Sequence, residues 1–109
     1  MIINRLITTQ GNNLRFHINH TVDGEPYKLK TGEKYYMAVA TESQPDKIVM
    51  NYMWDGADFD METELEDGIY VFEISLNTNT GREVIMPALD ERHRPLNQLI
   101  ILRRLKMYE

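Results

Sequence analysis

The chain has 109 residues, 42% of them apolar, and a formal net charge of −5 from 17 acids and 12 bases. This length suits one domain over residues 1–109 that buries roughly two thirds of its unfolded surface, which excludes a two-domain enzyme. With no cysteine, disulfides, Cys-ligated zinc, iron–sulfur clusters and thiol catalysis are excluded, and the acid excess argues against a dedicated nucleic-acid binder, which would need surplus Lys and Arg.

No run approaches the roughly 20 apolar residues that span a bilayer, and the first residues lack a charged region followed by an apolar run and a cleavage site. A soluble chain with no signal peptide and no membrane partner is therefore expected. Turn signals recur at short intervals: Gln10-Gly11-Asn12-Asn13, Asp23-Gly24-Glu25-Pro26, Thr31-Gly32, Gln44-Pro45-Asp46, Asp55-Gly56, Asp67-Gly68, residues 77–81 and Arg94-Pro95. The segments between them are mostly too short for helices. Residues 2–8 read as a first strand. Next, Leu14, Phe16 and Ile18 face inward and Arg15, His17 and Asn19 face water. A strand over 35–41 follows, then a stripe of Ile48, Met50, Tyr52 and Trp54. Alternation over 59–65 predicts a strand with Phe59, Met61 and Leu65 inside, although its Met, Glu and Leu content would also suit a short helix. Tyr70, Phe72, Ile74 and Leu76 form a further inward stripe, and strands over 83–86 and 99–104 complete an antiparallel β-sandwich of seven or eight strands.

Glu66-Asp67-Gly68-Ile69-Tyr70-Val71-Phe72 narrows this further. Immunoglobulin-like sandwiches carry a tyrosine at the start of a late strand, two residues before an inward core position, with its hydroxyl bonded back to the preceding corner. Tyr70 and Phe72 occupy those relative places as a structural corner. Phe72, opposite an early-strand partner such as Phe16, would close by packing what antibody domains close by disulfide.

Gly11-Asn12-Asn13-Leu14 entering a strand, Asp23-Gly24-Glu25-Pro26-Tyr27-Lys28-Leu29, Thr31-Gly32-Glu33-Lys34 before another strand, and the run from Gly68 to Leu76 ending in a polar hairpin at Gly81 resemble the immunoglobulin-like N-terminal domain of phage baseplate upper proteins. The resemblance covers about residues 8–86. It implies a virion structural module of a phage or prophage tail or baseplate, assembled in the bacterial cytoplasm with other tail proteins, with no enzymatic activity and no cofactor. Residues 87–109 diverge from the family, because Pro87-Ala88-Leu89-Asp90-Glu91-Arg92-His93-Arg94-Pro95 intervenes before the last strand.

Little in the sequence points to catalysis. His17, His20 and His93 read as surface residues, since the spacing of the first two has no ligand meaning across a strand and a loop. Ser43 and Ser75 lie outside any nucleophile elbow, and the six glycines are isolated turn residues that form no phosphate loop. The acids Asp55, Asp58, Asp60, Glu62, Glu64, Glu66 and Asp67 suggest calcium. However, the EF-hand pattern fails at Thr63, and strand carboxylates about 7 Å apart are too spread to converge. A solvated acidic face is expected, with no metal. The sequon Asn19-His20-Thr21 has meaning only in a secreted eukaryotic chain.

The surface suggests assembly. Arg92, Arg94, Arg103, Arg104 and Lys106 gather late in the chain while seven acids sit in one central stretch. Either the two groups pair within the molecule or they meet head to tail between copies. Apolar side chains on both faces of the strands around Tyr36, Ile69, Val71 and residues 99–102 point the same way, because a small two-sheet sandwich covers only one face of each sheet. The expected assembly surface comprises Tyr36, Ile69, Val71, Arg103, Arg104, Asp58, Asp60 and Glu62, and a homo-oligomer is expected. A carbohydrate-binding or adhesion module is the alternative, with Trp54 and Tyr52 stacking on sugar rings.

Overall fold

The computed structural model describes residues 4–62 and 64–105; Ile2, Thr63 and Lys106 lie outside the described residues. Its regular structure is all β. In chain order the strands are β1 (Asn4–Thr9), β2 (Asn13–His17), β3 (Thr21–Val22), β4 (Glu25–Pro26), β5 (Lys34–Thr41), β6 (Gln44–Trp54), β7 (Asp58–Glu62), β8 (Gly68–Thr78), β9 (Gly81–Met86) and β10 (Asn97–Leu102). The large sheet has the order β1-β10-β8-β5-β6, with β9 also on β8, and β2-β7 forms a second sheet. β3 and β4 make a small hairpin whose turn, Asp23-Gly24, has positive φ at both residues, as a two-residue loop requires.

β8 is the axis of the large sheet. β5 runs along one of its edges from Tyr70 to Asn77, while the other edge is shared by β10 over 68–71 and β9 over 74–78. The wholly antiparallel expectation needs a correction, because β1 and β10 pair in parallel from Asn4↔Asn97 to Thr9↔Leu102. These strands lie at opposite ends of the described chain, with Asn4 and Asn97 93 positions apart, so no tight turn dictates their direction.

Residues 59–62 belong to a strand and not a helix. Phe59 is buried and Met61 half-buried, while Asp58, Asp60 and Glu62 face outward; the strand ends at Glu62, and Leu65 is buried beyond it. The last strand ends at Leu102, leaving Arg103 and Arg104 outside it.

The core lies between the sheets. Tyr35, Met37 and Val39 from β5, Tyr70, Phe72, Ile74 and Leu76 from β8, and Leu99 and Ile101 from β10 face Leu14, Ile18, Phe59 and Leu65. Each such burial contributes about 1.5–3 kcal/mol. Phe16, expected opposite Phe72, stacks instead on Phe59, with ring centroids 4.7 Å apart and planes at 14°. At the entry to β8 the Tyr70 hydroxyl donates to the Glu66 carbonyl at 2.8 Å, tying the corner to the strand that fills the core.

Candidate assembly surface

The register of the large sheet decides which side chains share its outer face. Ile7 lies beside Ile100, and Ile100 beside Ile69, so three isoleucines form a row across β1, β10 and β8. Ile7 is 59% exposed and Ile69 52%, with exposed Leu102 beside them on the same face. Alternation produces this directly, since Leu6 and Leu99 point into the core and leave their neighbours pointing out.

Of the expected surface residues, Ile69 belongs to this row. Val71 does not, being only 2% exposed. It sits between Gln98 and Ala40 on the outer face, and a side-chain bridge crosses there: Arg5 Nε donates to Gln98 Oε1 at 3.1 Å and Gln98 Nε2 to Glu42 Oε2 at 2.7 Å. Ala88, from the connection that diverges from the family, lines a cavity of about 150 Å³ with Val71. Tyr36 is half-buried, with the Arg82 guanidinium 4.4 Å from its ring centroid.

The charges sort onto two sides of the molecule. On one side β1 and β2 meet across a groove of about 750 Å³ lined by Arg5, Ile7, Thr8, Asn13 and Arg15. It adjoins a mixed pocket of about 490 Å³ with Leu6, Phe16, Phe72 and Met86 on its apolar part and Asn4, Arg5, His17 and Asn19 on its polar part. Arg104 belongs to this side, for a methyl group placed on Gly11 in the β1–β2 turn would stand 3.2 Å from its Nη1. On the opposite side β6, β7 and the turn between them bring Asp46, Asp55, Asp58, Asp60 and Glu62, all exposed, with Lys47 the one base on those two strands. Tyr52 and Trp54 hold the two layers together there by edge contacts with Phe59 at 5.3 and 4.7 Å.

The acidic stretch pairs with β2 and not with the late arginines. Asp60 accepts Asn13 Nδ2 at 2.9 Å and Arg15 Nε at 3.2 Å, bonds that hold its carboxyl below the usual range, and His17 Nδ1 lies 2.8 Å from Asp58. Arg94 is engaged in its own loop, with Nε 3.0 Å from Asp90.

His20, expected at the surface, is half-buried. Its Nδ1 is 3.1 Å from the Tyr35 hydroxyl and its ring packs 4.8 Å from Tyr27. The Tyr27 hydroxyl donates to Glu33 Oε1 at 2.5 Å, and the Lys30 amide donates to the same oxygen at 2.8 Å. The shared bond pushes the Tyr27 pKa up to about 12 and holds the Glu33 carboxyl low. No motif announces this cluster; its only sequence signal is Glu33 following the Thr31-Gly32 turn.

Trp54 is 7% exposed and touches the rings of Phe16, Tyr35 and Phe59, so the faces a sugar would stack on are occupied by protein. Ser75 is buried within the sheet. What this arrangement offers chemically is strand edges, an apolar row, and charge that is separated at Arg5 and Arg104 against Asp46, Asp55 and Glu62 and paired at Arg15–Asp60 and His17–Asp58. No family model, curated protein or solved structure matches this chain.

Proposed function

We propose that this chain is a non-enzymatic, immunoglobulin-like structural module of a phage or prophage tail or baseplate, acting through contacts with other virion proteins and with copies of itself. The strand order β10-β8-β5-β6 corresponds to the G-F-C-C′ order of variable-type immunoglobulin domains, with β2-β7 in the facing sheet. The Tyr70 bond to the Glu66 carbonyl supports the same topology. The biological setting rests on the resemblance of residues 8–86. The observation that carries the assembly role is the outer row of exposed Ile7, half-buried Ile100 and exposed Ile69, since contiguous apolar surface marks an interaction site.

Mass spectrometry of tail particles purified from an induced host carrying the gene tests this reading. The chain is expected in fixed ratio to the tail proteins, and Ile7→Lys with Ile69→Lys is expected to lower its incorporation. Particles that form fully without the chain contradict the reading.

A further inference from the structure

We infer that copies of this chain associate head to tail, the basic β1/β2 side of one against the acidic β6/β7 side of the next, with both sheets continuing across the contact. The inference deepens the assembly reading by naming a partner, a second copy, and the surface that takes it.

Among the described residues β1 pairs only with β10, β6 only with β5, and β2 and β7 only with each other, so each side of the sandwich presents two open strand edges. On β1 and β2 the bonds made within each sheet leave alternate amides pointing out of its edge. Asn4 N donates to Leu96 O and Gln10 N to Leu102 O, so by alternation Arg5, Ile7 and Thr9 turn their amides away from β10. Ile18 N donates to Ala57 O, which likewise turns the amides of Arg15 and His17 outward from β2. Unpaired edges of this kind are templates for another strand.

Strand direction makes the two sides compatible. β1 runs with β10, β10 against β8, β8 against β5 and β5 against β6, so β6 runs against β1. β7 runs against β2. A second copy displaced sideways, without reversal, therefore brings antiparallel partners to both open edges at once. Pro45 and the register break between Ile48 and Met50 limit the regular part of β6 to residues 50–54.

Charge selects this contact over a symmetric one. β1 and β2 carry Arg5, Arg15 and His17 and no acid, while β7 carries Asp58, Asp60 and Glu62 and no base. Arg15 and His17 are already bonded to Asp60 and Asp58 across the β2-β7 pair, so the charge left for a second copy is Arg5 with Arg104 on one side and Asp46, Asp55 and Glu62 on the other. Two β1/β2 sides facing each other would oppose arginines, and two β6/β7 sides would oppose carboxylates.

The test uses three purified full-length proteins in sedimentation velocity. Ile7→Pro blocks the β1 edge without removing a bond to β10, and the double variant Asp58→Lys, Glu62→Lys reverses the charge of the acidic side. Circular dichroism checks that each folds; if Ile7→Pro does not, Ile7→Glu replaces it. The wild type is expected to form a concentration-dependent series of species whose association weakens about tenfold between low and high salt. Each variant alone is expected to be monomeric, and the two mixed to give a 1:1 complex. A monomeric wild type, a mixture that stays monomeric, or one variant that self-associates like the wild type overturns the inference. Failure here with the chain still present in tail particles removes this contact and leaves the virion role standing; association here with particles lacking the chain does the reverse.

Discussion

β8 and β6 are both 11-residue strands with apolar residues at alternate positions, yet they have opposite fates. β8 has neighbours on both edges and buries side chains on both faces, Tyr70, Phe72, Ile74 and Leu76 inward and Val71 and Ser75 outward. β6 has one neighbour, and of its apolar residues only Trp54 is buried, while Ile48 and Val49 are exposed and Met53 is 50% exposed. Alternation marks which side chains share a face; the number of flanking strands decides whether anything covers that face. β8 carries stability from Tyr70 to Leu76 and gives only Ile69, at its entry, to the outer row, whereas β6 leaves most of its apolar side chains for contacts.

The sharpest way to break this contrast is Phe72→Ala on β8. Loss of a ring this buried leaves a cavity and is expected to cost about 3–5 kcal/mol in a urea unfolding titration. Tyr70→Phe keeps the ring and removes the bond to the Glu66 carbonyl, for an expected loss of about 1 kcal/mol by the same measurement.

A smaller effect is read through pH, in the cluster beside β5. Glu33 is held low by the Tyr27 hydroxyl and the Lys30 amide, so its contribution is present above its unfolded pKa of about 4.3 and lost as pH falls through its lower folded value. Asp60 and Asp90 act in the same direction, so Glu33→Gln is expected to lessen the acid slope of stability without abolishing it. Tyr27 is raised to about 12, so its contribution is intact below about pH 10 and lost as pH rises from there toward its folded value. Tyr27→Phe is expected to remove the latest-titrating phenol from a 295 nm absorbance titration. Smallest of all, Met53→Gln on β6 is expected to change stability by less than about 0.5 kcal/mol, measured by urea unfolding. A cost near that of Phe72→Ala would mean that β6 is covered within the molecule.

Local pattern made the inward stripes legible. Leu14 and Ile18 on one layer and Tyr70, Phe72, Ile74 and Leu76 on the other need only period two and a turn at each end. The Tyr70 corner was legible because its donor and acceptor are four residues apart. What depends on distant strands was not. The parallel β1-β10 pairing fixes the Ile7–Ile100–Ile69 row, and no signal inside either segment states its partner. Burial of Val71 is not legible locally, because Gln98 on β10 and Glu42 in the β5–β6 turn meet beside it from distant parts of the chain. His20 looked like a surface residue because Tyr27, Glu33 and Tyr35 reach it only once the intervening loop folds back. The late arginines suggested a pole of their own, whereas Arg104 joins Arg5 and Arg15 beside the β1–β2 turn.

The central claim is that opposite charge and open edges on the two sides make this sandwich a self-assembling module. Sedimentation velocity of the wild-type chain over a hundredfold concentration range, at low and at high salt, tests it most directly. Sedimentation coefficients that rise with concentration at low salt and fall back toward the monomer at high salt are the predicted result. One monomeric boundary at every concentration and both salt levels would contradict it.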